Sequence, residues 1–294
     1  MHPHRNTRSV WAAALALLLG TATLPACGLA ATPAGVQITM SQVVALPADA
    51  ATDREAAPID IDVASENGGV SIAHDHRATG ATIVARARLA DDDRAKRFGF
   101  RAELDADGTL RVEPLWPDGK RLGNESCAFA VVVPAVGGVA VRTSNGGITL
   151  AHAHGNARLA TSNGAIVVEG VQGDLHARSN NGGITVRHSR GALDLQTSNG
   201  SVSITHAWQG SDPAAGTWRV QTSNGAITLE AADAIAGRLS ATTSNGRATV
   251  QRIGADGQRE TIASDRTVGL SLGGAQATID LRTSNGPITV VTGG

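Results

Sequence analysis

The chain has 294 residues and a net charge of −1, so no excess of positive charge points to nucleic acid or to an acidic membrane surface. Tyrosine is absent, aromatic residues make up 2% and there are 35 glycines. A compact enzyme core of this size would use more aromatic bulk, and the composition fits instead an all-β repeat protein with a narrow aliphatic core.

Residues 1–27 read as an export signal. Arg5 and Arg8 supply positive charge, and residues 10–19 are apolar but too few for a comfortable membrane span. Leu24-Pro25-Ala26-Cys27 is similar to the lipobox of bacterial lipoproteins, in which the Cys becomes the lipidated first residue; Pro25 departs from the small residue usual there. The resemblance implies a lipid anchor at Cys27. With Gly28 rather than Asp next, it implies the outer membrane of a Gram-negative cell. The alternative is ordinary secretion to the periplasm or beyond, with cleavage after Ala30. If Cys27 is lipidated, Cys127 has no partner, and no disulfide framework holds the fold. The apolar run around Cys127 reads as a buried structural thiol.

Residues 28–57, rich in Ala, Pro and Asp, read as a tether with one extended piece at 36–46. Residues 58–134 read as an irregular β part. Residues 59–63 and 83–89 have strand patterns, and 66–72 is a worn copy of the motif that dominates the rest. The Asp/Lys/Arg-rich stretch 91–97 reads as a charged surface loop. Residues 98–104 and 110–115 read as strands about an Asp107-Gly108 turn. Pro134 ends a strand at 131–133.

Residues 135–294 carry the regular repeat. Thr-Ser-Asn-Gly stands at 143–146, 161–164, 197–200, 222–225, 243–246 and 283–286, with Ser-Asn-Asn-Gly at 179–182. The motif Asn recurs after 18, 18, 18, 25, 21 and 40 residues, and Asp265 takes the Asn place midway through the last gap. Insertions fall between copies, as in a solenoid. Three and five places after the Asn stand aliphatics such as Ile148 and Leu150. Two places before it stands Thr or Ser, and four before it mostly Val, Leu or Ala. With a strand period of two, these columns face inward. Two short strands per copy cannot bury a core alone, so copies must stack about 4.8 Å apart.

The expected corners are Asn145-Gly146, Asn163-Gly164, Asn181-Gly182, Asn199-Gly200, Asn224-Gly225, Asn245-Gly246 and Asn285-Gly286. Glycine tolerates positive φ, asparagine tolerates the left-handed region, and stacked asparagines can bond along the column. The expected fold is a right-handed β-helix, or β-solenoid, with coils of about 18–20 residues. An antiparallel meander is the alternative, because Asn-Gly is also a strong hairpin signal.

The 131–134 strand followed by tandem Thr-Ser-Asn-Gly-x-Ile-Thr-Val/Leu units resembles the DUF4097-type adhesin repeat family, over roughly residues 59–292 and most strongly from 131. The resemblance implies a right-handed β-helix on a bacterial envelope and a surface or scaffold role. It marks structure and assigns no site.

Little in the sequence points to chemistry. His152, His188, His206 and His74 all stand seven places after a motif Asn, at an expected exposed second corner. His152 and His154 have the spacing of a metal pair, as do His74 and His76, but no fixed third ligand is visible and no metal site or cofactor is assigned. Gly269-Leu270-Ser271-Leu272-Gly273 matches a nucleophile elbow by chance, since Leu270 falls on an inward phase and no helical segment follows. Asp194 and Asp280 share an outward column with Ala140, Arg158, His176, Arg219 and Ser240, which gives no acid pair for a glycosidase. Trp218 falls on an inward phase, and Trp116 and Trp208 are the other mature-chain tryptophans.

Four places after the Asn, Thr149, Thr185, Ser203, Thr228, Thr249 and Thr289 are the candidates for surface contact, and with the column Ser144, Ser162, Asn180, Ser198, Ser223, Ser244, Ser264 and Ser284 beside the corner they make an outward, uncharged hydroxyl strip. The plain alternative is that Thr suits an exposed strand; an ice-type lattice match ranks below both. The expected function is a non-enzymatic envelope surface or scaffold protein, with glycan, matrix or another envelope protein as partner. Its alternatives are a carbohydrate-active β-helix enzyme and a self-assembling structural module.

Overall fold

The computed structural model describes residues 35–46, 57–206, 216–231, 237–254, 257–272 and 277–293, all within the compact unit Gly35–Gly294. The protein is all-β, with two large and mostly parallel sheets. From β8 (Val136–Arg142) and β9 (Ile148–Ala151) onward, each repeat is one rung of two strands. The strand before the Asn-Gly corner joins sheet B and the strand after it joins sheet A. The following rungs are β10/β11 (Ala157–Thr161, Ile166–Glu169), β12/β13 (Leu175–Ser179, Ile184–Arg187), β14/β15 (Leu193–Thr197, Val202–His206) and β16/β17 (Gly216–Thr222, Ile227–Ala231). Equivalent residues of successive rungs pair in parallel, for example Ile148 with Ile166 with Ile184.

The inward columns close into one core. All seven aliphatics from Ile148 to Ile288 that stand three after a motif Asn are buried, as are Leu150 to Val290 at five after and Val141 to Leu281 at four before. Among the described residues Trp218 is the one large aromatic of these rungs, 2% exposed, with its indole N–H donated to the Gly191 carbonyl.

The corner is built by three ladders. The Asn amides form a chain: Asn163 donates to Asn145, Asn181 to Asn163, Asn199 to Asn181, Asn224 to Asn199, Asn285 to Asn224 and Asn245 to Asn285, all at 2.6–2.8 Å. The buried Thr or Ser two places earlier donates its hydroxyl to the Gly carbonyl of the preceding rung, as Thr161 does to Gly146 and Ser179 to Gly164, both at 2.9 Å. The same oxygen accepts its own corner's Gly N–H at Gly164 and Gly182. The column expected as small filler therefore satisfies backbone groups that the corner would otherwise strand.

Glycine is needed for a different reason from the one expected. None of the corner Asn or Gly residues has positive φ. Instead a Cβ at Gly164 would collide with the carbonyl of Gly146, and one at Gly182 with that of Gly164. The rungs approach too closely for any side chain. A two-residue Asn-Gly hairpin would need positive φ, and here Asn-Gly joins strands of different sheets, so the antiparallel meander does not form in the repeats.

The rungs do not stack in chain order at the far end. β22 (Ala277–Thr283) and β23 (Ile288–Gly293) lie between β16/β17 and the rung β18/β19 (Gly237–Thr243, Ala248–Ile253). The degenerate copy around Asp265 is not a parallel rung. Its leading strand β20 (Arg259–Asp265) runs antiparallel to β19 in sheet A, and its trailing strand β21 (Thr267–Leu272) antiparallel to β18 in sheet B. It crosses the end of the stack backwards. Val268 is still buried and Leu270 half-buried, so the inward phase survives the reversal.

The other end is capped in the same manner. The worn copy forms the first rung, β2 (Ile59–Ala64) and β3 (Val70–His74), against β8 and β9. Beyond it, β7 (Ser126–Val133) and β6 (Leu110–Leu115) still run parallel. Then β4 (Gly80–Leu89), β1 (Val36–Ala45) and β5 (Gly99–Leu104) turn antiparallel. The extended piece within residues 28–57 is thus a full edge strand, paired with β4 over its ten residues.

The stretch read as a charged loop is helix α1 (Asp92–Arg97), capped by the Asp91 carboxylate on Arg94 N. Its Arg94 is buried and pairs with Glu125, Nε to Oε1 at 2.6 Å and Nη2 to Oε2 at 2.9 Å. The backbone N–H groups of Ala90 and Leu122 also donate to Glu125. Burial raises the Glu125 pKa, but the Arg94 bond and these N–H groups outweigh it, and the carboxyl sits below its ordinary value.

Candidate functional site

The predicted hydroxyl strip is one continuous row on sheet A. Thr149, Val167, Thr185, Ser203, Thr228, Thr289 and Thr249 pair side by side, each half-buried. The last rung's insertion places Thr289 before Thr249. Thr249 Oγ1 lies 3.3 Å from Ser264 Oγ on the capping strand. The row carries no charge of its own, and Val167 interrupts its hydroxyls.

Sheet B carries what the sequence reading did not assemble. An open groove of about 560 Å³ runs along the ridge where this sheet meets the corner. It is lined by Gln196, Gln221 and Thr242 from the strands and by corner serines, including Ser198, Ser223 and Ser284. Arg178 and Arg282 also line it. Their strands, β12 and β22, lie three strand steps apart, roughly 14 Å. The outward face around the groove is basic. Arg142, Arg158, Arg178, Arg219, Arg238 and Arg282 are exposed on β8 to β22, against only Asp194 and Asp280.

The two carboxylates are committed. Asp194 lies 3.6 Å from Arg178 and 3.4 Å from His176 Nδ1, and accepts from Gln196 at 3.0 Å. Asp280 holds Arg282 through two contacts, at 3.0 and 2.9 Å. The insertion of the last rung brings them to either side of Arg219, two strand steps or roughly 9.6 Å apart. Neither lines the groove.

The histidines divide. His206 is buried and packs edge-on against Trp218, with ring centroids 5.3 Å apart, so it is not on an exposed corner. His152 and His188 are exposed at the second corner, with φ of 56° and 52°. His74 lies within electrostatic reach of His76, His152 and His154. Among the described residues, no three His, Cys, Asp or Glu side chains converge as a ready coordination sphere. Ser271 is a strand residue near the end of β21, paired with Arg238. Cys127 is buried and free, and burial pushes its thiol to about 12. Cys27 and Trp208 lie outside the described residues. No helix among the described residues is long and apolar enough to cross a membrane.

No protein-family model matches the chain, and no curated protein matches it. Among solved structures, it is similar to a "putative cell adhesion protein" from Clostridium sporogenes, at 11% identity and a TM-score of 0.36, covering 87% of this chain and 100% of that one. A "putative adhesin" from Bacteroides fragilis is similar at 11% identity and a TM-score of 0.33, covering 88% and 98%. Another from Parabacteroides distasonis matches at 8% identity and 0.35, also covering 88% and 98%. These likenesses are too slight to carry over any residue's role.

Proposed function

We propose that the protein is a non-enzymatic, adhesin-like surface protein of the bacterial envelope, a β-solenoid whose basic sheet B face holds an extended acidic glycan or envelope polymer. The parallel register of 18 residues, with alternate strands in alternate sheets, supports the solenoid. Its right-handedness follows from the general hand of parallel crossovers. Export through the 1–27 segment, with a lipid anchor at Cys27, belongs to the same reading.

The observation that carries it is the groove on sheet B, with its polar lining and six exposed arginines on the surrounding face. The chain as a whole has a net charge of −1, so this face concentrates positive charge that composition hides. The satisfied Asn and Thr ladders beneath it hold the lining groups at fixed spacing, which limits the entropy lost on binding a regular polymer. The engagement of Asp194 and Asp280 with arginines speaks against a hydrolase.

The test is a glycan array and an envelope pull-down with protein lacking residues 1–27. Acidic polysaccharides are expected to be retained over neutral ones, with binding that weakens steeply as salt rises. The double change Arg178→Ala and Arg282→Ala is expected to weaken it with the unfolding temperature little changed. Silence in both assays removes the reading, and depolymerisation of the bound glycan replaces it with the enzyme.

A further inference from the structure

We propose that His74, His76, His152 and His154 form a surface site for one divalent transition-metal cation, with zinc as the reference ion. The two His-x-His segments are 78 residues apart in the sequence, and β4 to β9 intervene between them. The fold nevertheless makes β3 and β9 neighbours in sheet A, with Ser71 opposite Thr149 and Ile72 opposite Leu150. His74 ends β3 and His152 follows the last residue of β9, which brings the two within electrostatic reach of each other. His154 is fixed nearby, because its N–H bonds the Val136 carbonyl and Ala153 bridges to Val136. His74 and His76 have ring centroids 6.3 Å apart.

His74 stands within electrostatic reach of the other three imidazoles. The basicity of His74 shows this crowding: it is lowered first by burial, then by His152, His76 and His154. No carboxylate contributes to that shift. A set of neutral imidazoles suits zinc, copper or nickel and disfavours magnesium or calcium.

Convergence requires modest movement. Two imidazoles on one tetrahedral zinc, at about 2.1 Å each, place their ring centroids roughly 5.3 Å apart. The 6.3 Å pair is about one ångström too wide, and all four rings are exposed and able to rotate. His152 is held in left-handed backbone, φ 56°, an uncommon state for a residue with a side chain. On the next rung its place is taken by Gly170, where a Cβ would lie 2.8 Å from the His152 Nδ1. Glycine there leaves the His152 ring room to turn.

The experiment is calorimetric titration of the purified, tag-free and metal-stripped protein with zinc chloride, paired with thermal unfolding and histidine-selective NMR. One equivalent of zinc is expected to bind, to raise the unfolding temperature and to move the ring signals of these four histidines. His154→Ala, His74→Ala and His152→Asn should each weaken binding by at least about tenfold, the scale seen when even an outer partner of a metal ligand is lost. Asparagine at 152 keeps a residue that tolerates the left-handed backbone. Absence of zinc binding overturns the proposal. So does binding that survives the His74→Ala/His154→Ala double variant, or zinc-induced shifts confined to other histidines. If a variant fails to fold, the wild-type NMR result decides.

Discussion

The middle of the stack and its N-terminal end solve the same problem with different chemistry. From β8 to β17 each rung repeats its neighbour, the core is mostly aliphatic, and each buried corner hydroxyl donates to the glycine carbonyl of the rung before it. At the N-terminal end nothing repeats. There Phe98 packs on Trp116 and Phe100 on Phe129, at 5.1 and 6.0 Å, and a helix closes over a buried Arg94–Glu125 pair. Repetition lets one rung satisfy the next, but it cannot stop. Stopping takes antiparallel strands, aromatic bulk and a specific ion pair, because an open parallel edge invites further pairing.

Substitutions in the stack and in the cap should separate the two regions. The largest effect is expected in the stack at Gly182→Ala, which drives a Cβ into the Gly164 carbonyl. Backbone cannot give way as a side chain can, so a loss of about 3 kcal/mol or more is expected by chemical denaturation. Gly108→Ala, at a cap turn with open space and φ of 83°, should cost only about 1 kcal/mol. Equal losses at the two positions would mean that the rung spacing is looser than described.

Next comes Glu125→Ala in the cap, which leaves Arg94 buried and unpaired and should cost on the order of 3 kcal/mol. Its pH signature is distinct. The folded-state pKa of Glu125 lies below its ordinary value of 4.5. The stabilisation is therefore complete above pH 4.5 and drains as pH falls through the lower folded value. Glu125→Gln should flatten this acid limb, as measured by stability from pH 6 down to about pH 3. An unchanged acid limb would show that the pair does not hold the cap.

A smaller loss than at Gly182 or Glu125 is expected for Thr161→Val. Valine fills the same space but strands the Gly146 carbonyl and the Gly164 N–H, for about 2 kcal/mol. A neutral result would return this column to the role of filler.

Much of the architecture was legible because it is local. A fixed repeat with strand periodicity placed the buried columns, from Val141 and Ile148 through Leu281 and Val290, and even the inward phase of Trp218. The corner's location was equally plain, but its physics was not. Without the neighbouring rung, Asn-Gly suggests positive φ, and only the stacked backbones show that the glycine hydrogen faces a carbonyl. The hydroxyl role of Thr161 and its equivalents was hidden for the same reason, since both partners lie in corner glycines made adjacent by folding.

What the sequence determined alone is the rung: which residues face in, where the chain bends, and that rungs must stack to bury a core. What only the tertiary structure decided is which rung meets which. Near-identical rungs offer near-identical edges, so local pattern cannot say that β22/β23 enters before β18/β19, or that the Asp265 copy runs backwards. Those choices set the spacing of Asp194 and Asp280 on the basic face. The adjacency of β3 and β9, across 78 residues, likewise brought His74 within electrostatic reach of His152 and His154. Contacts between rungs depend on pairing across space, and the repeat leaves that pairing open until the caps and the last strands fix it.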